Sequence, residues 1–342
     1  MKALVTGGTG FIGSHLVSAL IEKDYRVRCL VRKTSDVSRL EKLGVEVAHG
    51  DMLDADSLTR AVKGADVVYH FVGVGDISAI SSKAYQGYRQ INVLGTKNLL
   101  DACLSSGVGR LVHFSSLAAM GLIKRDVIDE KTPCNPRGPY ERSKYESEMV
   151  VLQYWEKEGL PATIIRPSMA YGPGGVKSEV LRMCRMIQKH IFPIIGSGNA
   201  RMGMVHVDNL VQGAILAGEN GKSTGEIYII TDARSYSLNE VVQTIAAELK
   251  VRNPAIHMPI PLAKAGVGLI EMLSKVLRFT PPFSLWRLET VTTDRVYSIA
   301  KAQSELGYKP QVSLKEGISS TIKWYKDNRL LRNAAHCLRC TS

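Results

Sequence analysis

Short unbroken apolar runs alternate along this chain with stretches in which apolar residues recur every three or four positions, the mark of buried strands separated by amphipathic helices. Ala3-Leu4-Val5 opens the first strand, and Leu16, Val17, Leu20 and Ile21 line one face of a helix from Ser14 to Glu22. A second strand follows in Arg26-Val27-Arg28-Cys29-Leu30-Val31, completing a βαβ unit. The same reading predicts strands over Val45 to His49, Val67 to Phe71, Arg110 to Phe114 and Ala162 to Arg166. Helices are expected around Ser57 to Val62, Asn92 to Ser105 and Tyr140 to Glu158, the last announced by Pro133, Pro136 and Pro139, which forbid helix just upstream. Regular alternation without internal repeats predicts an α/β fold with a doubly wound parallel sheet.

The turn after the first strand reads Thr6-Gly7-Gly8-Thr9-Gly10-Phe11-Ile12-Gly13. Gly7 lets the chain leave the strand tightly, Gly10 lets backbone approach a pyrophosphate, and Gly13 lets the helix pack closely on its strand. The helix N-terminus then offers N–H groups and partial positive charge to phosphates. This is a Rossmann-type dinucleotide turn, with Thr9, Phe11 and Ile12 as neighbouring contacts. Pro167 and Gly172-Pro173-Gly174-Gly175 later break the alternation. The expected division is a dinucleotide-binding domain over 1–172 that regains 204–232, a smaller C-terminal α/β substrate lobe from 173–203 and 233–330, and a tail over 331–342.

Dinucleotide enzymes that prefer NAD usually carry an acid at the end of the second strand. Here Val31 is followed by Arg32 and Lys33. A guanidinium makes two-pronged, charge-assisted bonds to a 2′-phosphate, so NADP is the expected cofactor and NAD the alternative. Asp51 and Met52 after the third strand are placed at the adenine, with helix capping by Asp51 as the other reading. Phe71, Pro167 and Ser168, at the ends of later strands, complete the expected cofactor surface.

A second constellation is Tyr140-Glu141-Arg142-Ser143-Lys144, preceded by Ser115-Ser116 at a strand end. Positions i and i+4 share a helix face, so the Tyr140 hydroxyl and Lys144 ammonium converge on one site. A phenol with pKa about 10 is a poor base at neutral pH, and a nearby ammonium favours its ionised form.

At these residues the chain resembles the extended short-chain dehydrogenase/reductase family, from Lys2 to about Tyr325. The matching pieces are the glycine turn, Gly50-Asp51-Met52-Leu53-Asp54, Asn92-Val93-Leu94-Gly95-Thr96, Ser115-Ser116 with Gly121, Pro139 through Lys144, and Arg166 through Gly174. The resemblance implies catalytic Ser116, Tyr140 and Lys144, with Asn92 supporting the architecture. Counting back five from Gly121 selects Ser116 over Ser115. It further implies a homodimer paired through the helices over Asn92 to Ser105 and Tyr140 to Glu158.

Within that family, sugar-nucleotide epimerases and dehydratases commonly carry Arg-Asp-Phe before the Val-His-Val-Asp strand and a Tyr in a Val-Tyr-Gly triplet. This chain has Ala200-Arg201-Met202-Gly203-Met204 and Met120 instead. Met258-Pro259-Ile260-Pro261-Leu262 onward, through Pro281-Pro282 to Val296-Tyr297 and Glu305-Leu306-Gly307-Tyr308, looks like the 3β-hydroxysteroid dehydrogenase and dihydroflavonol reductase branch. The expected function is therefore hydride transfer between nicotinamide and a secondary alcohol or ketone of a fairly apolar molecule. A sugar-nucleotide epimerase or dehydratase using the same Ser-Tyr-Lys site, and a non-catalytic nucleotide sensor or scaffold, are the alternatives. Leu262 to Phe279 forms an apolar helix that packs on its lobe, covers a lipophilic substrate or rests on a membrane surface.

Composition adds limits. The chain has 342 residues, 45% hydrophobic, enough for a sizeable core. The first strand begins at residue 3, which leaves no room for a signal peptide, and no apolar run approaches the ~20 residues of a membrane span, so a cytoplasmic location is expected. Cysteines 29, 103, 134, 184, 337 and 340 are scattered as for reduced thiols, and Cys337-Leu338-Arg339-Cys340 is read as tail. A net charge of +12, spread along the chain, suits anionic ligands, and no nucleic-acid motif accompanies it. No His/Asp/Glu cluster suggests a metal, and His113 and His206 read as structural.

Overall fold

The computed structural model describes residues 1–75, 82–254, 256–277 and 284–331. Its centre is a seven-stranded parallel sheet of β1 (Lys2–Thr6), β2 (Arg26–Val31), β3 (Glu46–His49), β4 (Val67–His70), β5 (Arg110–Phe114), β6 (Ala162–Pro167) and β7 (Ile227–Ile230). The order across the sheet is β7-β6-β5-β4-β1-β2-β3. The chain thus winds outward from β1 to β3, crosses back to β4, and winds the other way. Ligands of such sheets bind where the winding reverses, outside the carboxyl ends of the strands. Here that point lies between β1 and β4, which pair from Ala3↔Val67 to Thr6↔His70.

Both faces of the sheet are covered. One packs Val5, Leu16, Leu20, Tyr69, Val112 and their neighbours; the other packs Leu4, Leu58, Val68, Leu99 and Leu111. The first helices are α1 (Phe11–Glu22), Ser38–Lys42 and α2 (Ala55–Val62). The predicted helix from Asn92 has a different form: a helix runs from Ser82 to Arg89, a π-helical turn occupies Gln90–Gly95, and regular helix α3 spans Thr96–Ser105. α4 (Pro139–Glu158) begins on Pro139, with Glu141 Oε2 accepting from the Arg137 and Gly138 N–H groups. That is where a proline and an acid stabilise a helix start.

A separate core of Tyr171, Val180, Ile187, Val241, Ile245, Ile318 and Tyr325 holds together the later chain. The apolar helix expected from Leu262 is α5 (Ile260–Leu277), followed by α6 (Leu285–Thr292). Among its described side chains, α5 buries only a narrow stripe containing Ala263 and Ser274. Arg278, Phe279, Pro281, Pro282 and the Cys337/Cys340 pair lie outside the described residues, as does the tail beyond Leu331. No described helix is long and apolar enough to cross a membrane. Cys29, Cys103, Cys134 and Cys184 form no disulfide.

Candidate active site

Gly7 turns the chain out of β1 with φ +75°, and Gly10 donates to the Gly7 carbonyl at 2.9 Å. A Cβ on Gly13 would sit 2.2 Å from the Gly7 oxygen, so only glycine allows α1 to start this close to its strand. Gly10 caps α1 without any side-chain hydrogen bond, and Thr9 and Gly10 are exposed. A helix N-terminus left uncapped beside a glycine turn is a fitting cradle for a dinucleotide pyrophosphate. The Phe11 ring lies under Gly174 and Gly175, and His15 bonds the Pro173 carbonyl oxygen at 2.8 Å, which ties this helix to the later loop. Ile12 packs partly buried against the sheet core.

Across the switch point, Thr6 Oγ1 accepts from the N–H of Phe71 at 3.1 Å and bonds His70 Nδ1 at 2.8 Å. Phe71 packs against Phe114, while Gly7 lies directly beneath it. At the end of β2, Val31 is buried, and Arg32 and Lys33 are exposed with no ion pair among the described residues. Asp51 is exposed, and its carboxylate accepts from Leu53 N–H at 2.9 Å. It does not cap the following helix; Asp54 does, accepting from Ser57 N–H at 3.2 Å. Met52 is buried in the core and touches the π-helical turn at Gly95. Pro167 ends β6, the Ser168 hydroxyl is spent on Thr231 at 2.9 Å, and its backbone N–H donates to Ile230 O at 3.1 Å.

The π-helical turn carries Asn92 inward. Its carboxamide accepts from Val74 N–H at 2.8 Å and donates to Val74 O at 2.7 Å and to Ser143 Oγ at 2.9 Å. Asn92 therefore clamps the strand exit at 73–75 onto α4. A Cβ on Gly75 would fall 2.1 Å from the Tyr140 ring, so that exit lies flat against the phenol. Gly73 in turn faces Lys144 Nζ.

Tyr140 and Lys144 sit on one face of α4, in its first two turns. Burial raises the Tyr140 pKa, and the Ser116 hydroxyl beside it pulls the other way by hydrogen-bonding the phenolate. Ser115 turns aside and donates to Glu148, so of the two serines it is Ser116 that faces the phenol. Lys144 is almost wholly buried and donates to Phe114 O at 2.6 Å. Desolvation lowers its pKa to about 8, and Glu148 opposes the fall. The ammonium rests on this carbonyl instead of on the phenol, which is why the tuning expected from the four-residue spacing is not the dominant influence on Tyr140.

Sequence reasoning passed over the layer behind. Glu148, fully buried, holds Arg166 through bonds of 2.7 and 3.0 Å, and Arg166 also reaches Cys134 Sγ at 3.4 Å. Its signal was available: Glu148 stands four residues after Lys144 on the same helix face. His70 and His113 are buried and neutral, both lowered by desolvation and by Lys144. His113 bonds Ser147 at 3.1 Å. No group of three described His, Cys, Asp or Glu residues could hold a metal ion.

Residues 3–231 match the model of the NAD dependent epimerase/dehydratase family. The chain belongs to that family. As a family member it is an NAD(P)-dependent enzyme of the extended short-chain dehydrogenase/reductase type. It is 30% identical to a 2-alkyl-3-oxoalkanoate reductase from Stenotrophomonas maltophilia, over 93% of this chain and 97% of that protein. It is equally identical to a 3 beta-hydroxysteroid dehydrogenase/Delta 5→4-isomerase from Mycobacterium tuberculosis, covering 95% and 90%. Among solved structures, a dTDP-glucose 4,6-dehydratase from Streptomyces venezuelae with NAD bound superposes with a TM-score of 0.78 at 28% identity, covering 96% of this chain and 98% of the other. The family thus spans both chemistries that the sequence left open.

Proposed function

We propose that this family member is an NADP-preferring oxidoreductase that interconverts a secondary alcohol and a ketone on a fairly apolar molecule. The observation that carries the reading is Ser116 facing the Tyr140 phenol, with Lys144 buried one helical turn further on and bonded to the end of β5. Gly7, Gly10, Gly13 and the first turn of α1 would hold the pyrophosphate, Arg32 and Lys33 a 2′-phosphate, and Lys144 the nicotinamide ribose. A bound nicotinamide supplies or accepts the hydride. Tyr140 holds the proton exchanged with the substrate oxygen, and Ser116 bonds that oxygen and keeps it against the phenol. Asn92 keeps Val74 and Ser143 in place so that the phenol is walled in.

The choice of an apolar substrate over a sugar nucleotide is supported by where the later cations go. A diphosphate needs unpaired basic side chains. Arg201 is locked in a two-pronged pair with Asp294, at 2.6 and 3.0 Å, and Arg287 pairs with Glu179. The same reading takes the enzyme as a homodimer joined through α3 and α4, where Leu104, Met149 and Trp155 are exposed.

A series of ketones of growing apolar size, assayed with NADPH, tests the reading. Affinity should rise by ~0.8 kcal/mol per buried methylene. No such trend, with binding governed instead by a diphosphate, would favour the epimerase or dehydratase chemistry.

A further inference from the structure

α5 is folded inside out. Leu262, Leu269 and Leu273 stand seven and eleven residues apart on one line of the helix, flanked by Met272, and all four are exposed, at 63, 54, 42 and 57%. The side turned to the protein carries Ala263, Ser274 and the half-buried Glu271, whose carboxylate accepts from the Leu285 N–H at 2.8 Å. A surface helix normally buries its large apolar residues and gives polar ones to water. This one spends its only acid on internal contact and presents leucines outward.

The sequence of the helix and the segment leading into it is mainly basic. From Lys250 to Lys275 it contains Lys250, Arg252, Lys264 and Lys275 against the single acid Glu271. The segment feeding α5 pairs His257–Met258 with Ile194–Ile195. Ile256, whose carbonyl accepts from Ile194 N–H, is exposed, as are Ile191, Lys189 and Arg252. From Met186 to Ala200 there is no acid either. An apolar face with a basic rim complements a layer whose interior is hydrocarbon and whose headgroups are anionic.

We propose that α5 is a docking helix for the surface of an anionic membrane, lying in the interface with Leu262, Leu269, Met272 and Leu273 in the acyl boundary. Docking reaches the active site through one contact chain: α5 packs on α6, and Trp286 of α6 donates to Glu141 at 2.9 Å, in the first turn of the helix that bears Tyr140 and Lys144. The proposal does not depend on the substrate reading, since it concerns binding alone.

The test is co-sedimentation of the full chain with vesicles, of phosphatidylcholine alone and of phosphatidylcholine with phosphatidylglycerol. Binding is expected to the mixed vesicles, weakening as salt is raised, and not to the neutral ones. The double variant Leu269→Glu with Leu273→Glu should bind about tenfold more weakly or worse, with NADPH affinity unchanged, and the uncharged Leu269→Ser with Leu273→Ser should lose affinity in the same direction. Failure of the wild type to bind anionic vesicles, or binding indifferent to both double variants, overturns the proposal. So does an oligomer in vesicle-free solution that these substitutions dissociate, because a second copy would then cover the face.

Discussion

Lys144 and Phe114 are joined by a hydrogen bond of 2.6 Å, from a buried ammonium to the last carbonyl of β5. One carbonyl compensates poorly for a charge taken out of water, which is why burial brings this lysine down to about 8. Native Lys144 then sheds its proton above about pH 8, while the unfolded chain keeps it to about 10.5. The unfolded state binds more protons in that window, so this group makes stability rise with pH from about 8 to 10.5. Replacing Lys144 by Met should remove that rise in chemical denaturation. NADPH affinity should move the opposite way in the wild type and weaken above about pH 8, as the ribose loses its ammonium.

Tyr140→Phe removes one hydroxyl and little packing. The fold and NADPH affinity should survive, while turnover falls by ~10²- to 10⁴-fold, the usual contribution of a general acid/base. Turnover within a few fold of wild type would assign the proton to another group.

Arg32 is exposed at the end of β2 and pairs with no carboxylate among the described residues. NADPH should bind more tightly than NADH, and Arg32→Ala should abolish most of that difference while leaving NADH affinity nearly unchanged. Equal affinities for the two cofactors in the wild type, measured by titration, would remove Arg32 from the site.

The pair Glu148–Arg166 is almost completely out of water, with side chains 0 and 3% exposed. Glu148→Gln leaves a buried guanidinium without its counter-charge and should cost about 3–5 kcal/mol. Adding Arg166→Met should recover part of that loss, a non-additivity that a double-mutant cycle by urea denaturation measures.

Six of the seven strands were legible, most of them as short apolar runs, and β2 and β5 begin and end where the sequence places them; β7 (Ile227–Ile230) was not among the strands expected. The glycine turn was legible for a steric reason, since Gly13 admits no side chain. The π-helical turn at Asn92 was not, because Gln90–Gly95 is too short to show a spacing of its own. The helix Ser82–Arg89 escaped for the opposite reason: its sequence has little apolar periodicity, and it is held by Tyr85 and Arg89 bonding to Glu146 across on α4. Glu148 left a signal in its spacing from Lys144, but its partner Arg166 reads as a strand-end charge until the fold brings the two together. The apolar pattern of α5 was visible, but only the fold reveals that its leucines face outward.

Hydride bookkeeping separates the account from its main rival. A dehydrogenase exchanges its cofactor at each turnover, whereas an epimerase keeps it bound and returns the hydride to the same substrate. Purified enzyme given NADPH and an apolar ketone should oxidise one NADPH for each alcohol formed, followed by nicotinamide absorbance alongside product, and should carry little cofactor when isolated. Tightly retained nicotinamide, with conversion of a sugar nucleotide and no net change in absorbance, would contradict it.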